Sequence, residues 1–215
     1  MQEKKLIMLD FDGTIGDTQH LIVSTMQKTL AHLNLPPRSA EACKRMIGLP
    51  LKQTFTHLIE MSDEMGDQCV DVYRRIFDED NGPGVVPVFP HVIETIKMLK
   101  EHGKTLTIAS SRATATLMQF VRDMQLEPYI SLVLSCDDIT HSKPHPETAL
   151  ITLQQTGFSS EEAIVVGDSQ YDILMGRNAG CATVGVSYGN GTVEELIQAG
   201  ADHIIDDFAK LVDLV

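Results

Sequence analysis

The stretch Leu6-Ile-Met-Leu9, followed at once by Asp10-Phe-Asp-Gly-Thr14, constrains this chain more than any other. Four apolar residues in a row read as a strand buried on both faces, and the run ends on two carboxylates two residues apart. Positions i and i+2 of a strand point the same way, so Asp10 and Asp12 converge just past its C-terminal edge. Like charges held that close repel, and the usual remedies are a bound cation or a shared proton. The pair therefore predicts a metal site, or a nucleophile with an acid/base neighbour. Gly13 lets the backbone turn sharply and approach a ligand. A simple Asx/Gly turn is the plain alternative. An EF-hand calcium loop fits poorly, because the glycine stands fourth in the motif and not sixth.

Further short apolar runs predict buried parallel strands at Leu106 to Ala109, Leu132 to Leu134, Ala163 to Val166, Thr183 to Val186 and His203 to Ile205. Helical spacing lies between them. Val92, Ile96 and Leu99 form a face that ends at Gly103, Leu117, Val121 and Met124 form another, and Thr192-Val-Glu-Glu195 is a capping box for a helix ending near Gly200. The alternation predicts an α/β fold with a doubly wound, mainly parallel sheet. From Asp17 to Asp80 it breaks: Ile22, Met26 and Leu30, then Phe55 and Leu58, then Val70, Tyr73 and Phe77 all keep helical spacing, with no convincing strand. An all-helical insert over residues 17–81 is expected, between a core segment at 1–16 and the remaining core at 82–215. Asn81-Gly-Pro-Gly84 reads as the return linker, and entry and exit beside the aspartate pair would let the insert act as a hinged lid. A chain of 215 residues is long enough for such a core and insert.

The net charge of −13 argues against a nucleic-acid polymer or an acidic membrane surface as partner, since both are held mainly by Lys and Arg. No run approaches the roughly 20 apolar residues of a membrane span. Cys43, Cys69, Cys136 and Cys181 are scattered, with no C-x-x-C pair, and free thiols in a reducing compartment are expected. The first residues run into a strand without a signal-peptide pattern, so a cytoplasmic location is expected, as monomer or homodimer.

Ligands of open α/β sheets bind outside the carboxyl ends of the strands, and four such ends carry chemistry. The first gives Asp10 and Asp12. The next gives Ser110-Ser-Arg112, hydroxyls and amides suited to a phosphate. A later loop holds Lys143 in Lys143-Pro-His-Pro146, and Gly167-Asp-Ser-Gln-Tyr-Asp172 supplies Asp168 and Asp172. His141 and His145 would pair as metal ligands on a helix, but the prolines forbid that helix and no metal is assigned to them.

With these four motifs in order, the chain resembles the haloacid dehalogenase-like hydrolase superfamily: D-x-D-G-T at Asp10 to Thr14, the hydroxyl motif at Ser110, Lys143-Pro144, and G-D-x-x-x-D at Gly167 to Asp172. The insert is similar to that family's C1-type cap. Asp17-Thr18, Ile47-Gly-Leu-Pro-Leu51 and the Pro90 to Gly103 helix fit its phosphoglycolate phosphatase-like branch. The resemblance implies a Mg²⁺-dependent hydrolase that removes phosphate from a small anionic metabolite through an aspartyl-phosphate. Asp10 would be the nucleophile and Asp12 the acid/base; Asp10, the Asp12 carbonyl, Asp168 and Asp172 would hold the metal; Ser110 and Lys143 would contact the phosphoryl group. Candidate substrate contacts are Gly13, Ser111 and Arg112, together with Arg45, Gly48 and Lys52 of the cap, whose cations could meet a substrate carboxylate or second phosphate.

Other members of the family carry out other reactions. Dehalogenases lack the acid at the position of Asp12, and mutases carry a hinge histidine where this chain has Ile22. Phosphonatases use a cap lysine, and nothing marks Lys44 or Lys52 as buried. Pyrophosphate or nucleotide hydrolysis and a phosphosugar mutase stay as alternatives. So does a non-enzyme, a receiver-like or silent phosphate-binding module, although every motif residue is present.

Overall fold

The computed structural model describes residues 3–82 and 84–215. In chain order the elements are β1 (Leu6–Leu9), α1 (Gln19–His32), α2 (Ala40–Lys44), α3 (Leu51–Leu58), α4 (Asp63–Asp80), α5 (Val92–Glu101), β2 (Thr105–Ala109), α6 (Thr114–Asp123), β3 (Ile130–Leu134), α7 (Glu147–Thr156), β4 (Ala163–Gly167), α8 (Gln170–Asn178), β5 (Ala182–Val186), α9 (Val193–Ala199) and β6 (His203–Ile205). The strands form one sheet in the order β3-β2-β1-β4-β5-β6, and every neighbouring pair is parallel. This is the doubly wound α/β sheet expected. Because the chain steps from β1 to one side and later returns to lay β4 on the other, a crevice opens at the carboxyl ends of β1 and β4.

All four residues of β1 are fully buried, as a continuous apolar run at the centre of a two-sided sheet requires. The edge strand β3 begins at Ile130, two residues earlier than its apolar run suggests. It has a neighbour on one side only, so Ser131 faces solvent and breaks the hydrophobic pattern without ending the strand. The capping box at Thr192 forms as read, with the Glu195 N–H donating to Thr192 Oγ1 at 3.2 Å, and α9 stops at left-handed Gly200.

Between β1 and β2 the described residues hold helices and no strand. Ser62 caps α4 by accepting from the Met65 N–H, and Asp63 and Glu64 complement the helix dipole in its first turn. The face of α4 carrying Tyr73, Ile76 and Phe77 is buried. An aromatic series runs from Phe55 to Tyr73 to Phe77 to Phe120, with centroids 6.0, 5.8 and 6.4 Å apart, and ties these helices to α6. The outgoing and returning connections lie against each other: the Asp17 N–H donates to the Pro87 carbonyl at 2.8 Å and the Phe89 N–H to the Ile15 carbonyl at 3.0 Å. Of the expected linker, Pro83 lies outside the described residues, as do Met1 and Gln2 of the N-terminal reading. No helix of the described residues is long and apolar enough to cross a membrane.

Candidate active site

Four chain segments meet at the carboxyl edge of the sheet. The Asp10 N–H donates to the Val166 carbonyl at 2.9 Å, which extends the β1–β4 register by one residue and turns the carboxylate toward the crevice. Lys143 arrives on the loop after β3. Its buried ammonium donates to Asp10 Oδ1 at 2.6 Å and to Asp172 Oδ1 at 2.5 Å. Asp172 stands in the first turn of α8, where its other oxygen accepts from the Ser169 N–H at 3.1 Å and the Ser169 hydroxyl at 2.6 Å. This capping box fixes one carboxylate oxygen locally and leaves the other to Lys143. Gly13 has φ +90°, and a Cβ there would fall 2.0 Å from Asp168 Oδ2. Only glycine lets the loop after β1 pass that close to Asp168.

Asp10, Asp168 and Asp172 are buried and each offers an oxygen within 4.8 Å of the others. Burial pushes the Asp10 carboxyl well above its ordinary value, repulsion from Asp172 adds to this, and Lys143 opposes it. Asp168 is pushed up to about 7, first by burial and then by Asp172. Burial alone would lower Lys143, but Asp10 and Asp172 outweigh it and hold the ammonium charged. Three carboxyl groups against one lysine make a buried, all-oxygen cluster whose raised protons a cation can displace, and a hard divalent cation fits that donor set.

Asp12 is bound differently. Arg112 donates from Nε to Asp12 Oδ2 at 3.1 Å and from Nη2 to Oδ1 at 2.5 Å, a bidentate pair, while its guanidinium lies 4.9 Å from the Phe77 ring and 5.0 Å from the Phe120 ring. Arg112 thus reaches the site as expected but is held there by Asp12. Ser110 is buried, and its hydroxyl accepts from the Arg112 N–H at 3.2 Å. The Ser111 hydroxyl donates across to the Gly48 carbonyl at 3.1 Å. Gly48, at φ +100°, rests against Tyr171 and Ser169, so the loop before α3 closes on the core.

A cavity of about 820 Å³ runs from Asp10, Asp12 and Lys143 to the inner surface of α3 and α4. Lys52 lines it, with the ammonium taken up by Asp63 at 2.7 Å and Asp67 at 2.8 Å. Arg45 is not brought to the site. Its side chain is 70% exposed and pairs with Glu41 one helical turn away, because the last turn of α2 directs it outward. His141 and His145 lie close without any helix: their rings stack at 4.5 Å beside Glu147 on the exposed turn around Lys143.

One residue of the site escaped the sequence reading. Asn190 donates its N–H to Asp168 Oδ2 at 2.6 Å and its side-chain amide to the same oxygen at 2.9 Å, with a longer approach of 3.5 Å to the Asp12 carbonyl. Gly189 and Gly191 on either side have no room for a Cβ against Asp168. The loop follows β5, and strand-end reasoning extended to Gly189-Asn-Gly191 would have reached it.

A doubly wound α/β hydrolase, with helices inserted over a carboxylate and lysine cluster, is the class that this fold and site define. The chain belongs to the haloacid dehalogenase-like hydrolases, whose family model matches residues 7–186, and within them it is a phosphatase. It is 35% identical over 214 residues to "Probable phosphatase IndB" of Dickeya dadantii (strain 3937), covering 97% of this chain and 92% of that one. It is 30% identical over 209 residues to "Pyrophosphatase PpaX" of Bacillus pumilus (strain SAFR-032), covering 97% and 95%. Among solved structures, one from Haemophilus somnus 129PT described as a "predicted phosphoglycolate phosphatase" superposes with TM-score 0.88 at 26% identity, covering 100% of this chain and 99% of that one. A hydrolase structure from Bacteroides fragilis reaches TM-score 0.92 at 25% identity, covering 97% and 100%.

Proposed function

We propose that the protein is a Mg²⁺-dependent phosphate monoesterase, of phosphoglycolate phosphatase-like build, that acts through a covalent phosphate on Asp10. The observation that carries this reading is the buried contact of Lys143 with Asp10 and Asp172, with Asp168 adjoining. Asp10, Asp168 and the Asp12 carbonyl would hold the metal, with Asp172 supporting it through the Lys143 contact. Bound there, the cation would polarise the phosphoryl oxygens and cancel the repulsion between Asp10 and an anionic ester.

The carboxylate of Asp10 attacks phosphorus, the P–O bond to the leaving group breaks, and the leaving oxygen takes a proton from Asp12. Asp12 then accepts a proton from the water that cleaves the acyl phosphate, restoring Asp10. Both Asp12 oxygens face Arg112 in this arrangement, so Asp12 must trade that partner to serve as acid. Lys143 offsets charge that builds on the phosphoryl oxygens, and the buried Ser110 hydroxyl with the neighbouring amides offers them hydrogen bonds. The helices over the cavity exclude bulk water from the acyl phosphate.

Turnover of p-nitrophenyl phosphate with Mg²⁺ and with EDTA tests this directly, followed by hydroxylamine trapping and peptide mass spectrometry. Activity lost in EDTA and a hydroxamate on Asp10 are expected; a label on any other residue would overturn the covalent step. Pyrophosphate cleavage is the second reading, favoured by the likeness to PpaX.

A further inference from the structure

The two walls of the cavity differ in charge and in what they can hold. At the catalytic end Lys143 and the proposed metal receive the phosphate. On the α3 and α4 wall Lys52 is engaged by Asp63 and Asp67, while on the core side Arg112 is engaged by Asp12. Arg74 also lines the α3 and α4 wall and forms no ion pair among the described residues. The Asp137 carboxyl is held below its ordinary value, first by the Thr114 N–H and also by Arg74. Asp71 and Asp78 line the same wall, one on each side of Arg74 along α4. A second anionic group on the substrate would meet a wall on which Asp67, Asp71 and Asp78 outnumber Lys52 and Arg74.

The volume points the same way. Cavities of roughly 300–1,000 Å³ enclose drug-sized molecules, and this one measures about 820 Å³. A two-carbon phosphate ester or pyrophosphate would leave most of it to water. Its α1 and α4 surface is apolar and aromatic, with Met26, Val70, Tyr73 and Phe77, which favours a planar or ring-bearing body over a short charged tail.

We propose that the substrate is the monophosphate of an uncharged, ring-bearing organic body about the size of a nucleoside, seated against α4, and not a small phosphate carrying a second anionic group, such as phosphoglycolate or pyrophosphate. This rests on the phosphatase reading above and narrows its substrate class. Recognition would come from shape and hydrogen bonds on the α4 side, and repulsion by Asp71 and Asp78 would reject substrates carrying a second negative group.

The test compares kcat/KM of the Mg²⁺-loaded protein on nucleoside 5′-monophosphates, phosphoglycolate, pyrophosphate and p-nitrophenyl phosphate. The nucleoside monophosphates should exceed phosphoglycolate and pyrophosphate by about 10-fold or more, on the scale of discrimination that pocket contacts supply. The double variant Asp71→Asn, Asp78→Asn should lower the KM for phosphoglycolate by about 3-fold or more, with little change for the nucleoside esters. Equal or better turnover of phosphoglycolate or pyrophosphate would overturn the assignment while leaving the phosphatase reading in place. No turnover of p-nitrophenyl phosphate would count against the phosphatase reading itself.

Discussion

The two walls of the cavity are held by opposite kinds of interaction. On the core side Asp10, Lys143, Asp168 and Asp172 are buried and joined through Lys143, a helix cap and the Asn190 loop. On the α3 and α4 side the charged groups are exposed, and each ion pair joins side chains that solvent can reach. Buried charge clusters are expensive to alter, whereas exposed pairs contribute little and can be changed at small cost. The fold thereby separates the reaction, which admits few substitutions, from recognition, which admits many.

The widest gap between the walls should appear with Asp10→Asn, which keeps shape and removes the proposed nucleophile. A loss of roughly 10⁴-fold or more in kcat is expected from steady-state assays, comparable to nucleophile loss elsewhere. Retention of a few per cent of activity in fresh protein would sink the covalent route. Lys143→Met comes next. It leaves Asp10 and Asp172 buried without their cation, so a fall in stability of about 3–5 kcal/mol in metal-free protein is expected from denaturant titration. Unchanged stability would show the cluster to be far more hydrated than its burial implies.

Asn190→Ala should act on metal more than on folding. By analogy with other groups that orient metal ligands, Mg²⁺ affinity should fall about 10- to 100-fold by titration calorimetry. Equal affinities would remove Asn190 from any orienting role. A gentler probe of the same wall is pH. In the metal-free folded protein Asp10 and Asp168 keep protons that their unfolded counterparts release above about pH 4. Stability of the metal-free form therefore falls as pH rises from there to the folded value, about 7 for Asp168. Mg²⁺ competes with those protons, so its shift of Tm should be larger at pH 8 than at pH 5.5; a shift independent of pH would contradict the raised values.

The opposite wall should respond least. Arg45→Ala, with its side chain 70% exposed and facing away, should leave KM unchanged for every phosphate ester. Lys52→Met should alter KM by less than about 2-fold, since an exposed cation shared by two aspartates has little left to offer a substrate. A large KM effect from Arg45 would mean that α2 can turn inward.

What the sequence disclosed and what it hid divide along the same line. Strand ends were legible because burial on both faces leaves continuous apolar runs, and the residues after them are fixed by topology. Helix positions in the insert were legible from the 3.6-residue period. The partners of Arg112 and Asn190 were not, for they stand 100 and 22 residues away and nothing in local pattern specifies such pairs. Lys52 was nearer to reach: Asp63 and Asp67 are four apart, on one face of α4, where they invite a shared cation. The outward course of Arg45 follows from Glu41, again four residues before it.

The central position of β1 bears on how the chain comes to be folded. Its two hydrogen-bonding neighbours begin at Thr105 and Ala163, so the most apolar strand of the sheet leaves the ribosome long before either exists. The helices from α1 to α4 pack mainly on one another and can form while Leu6 to Leu9 waits. During synthesis they would act as a shield for an unpaired strand, and a chain shortened within them should aggregate more readily than one shortened after β6.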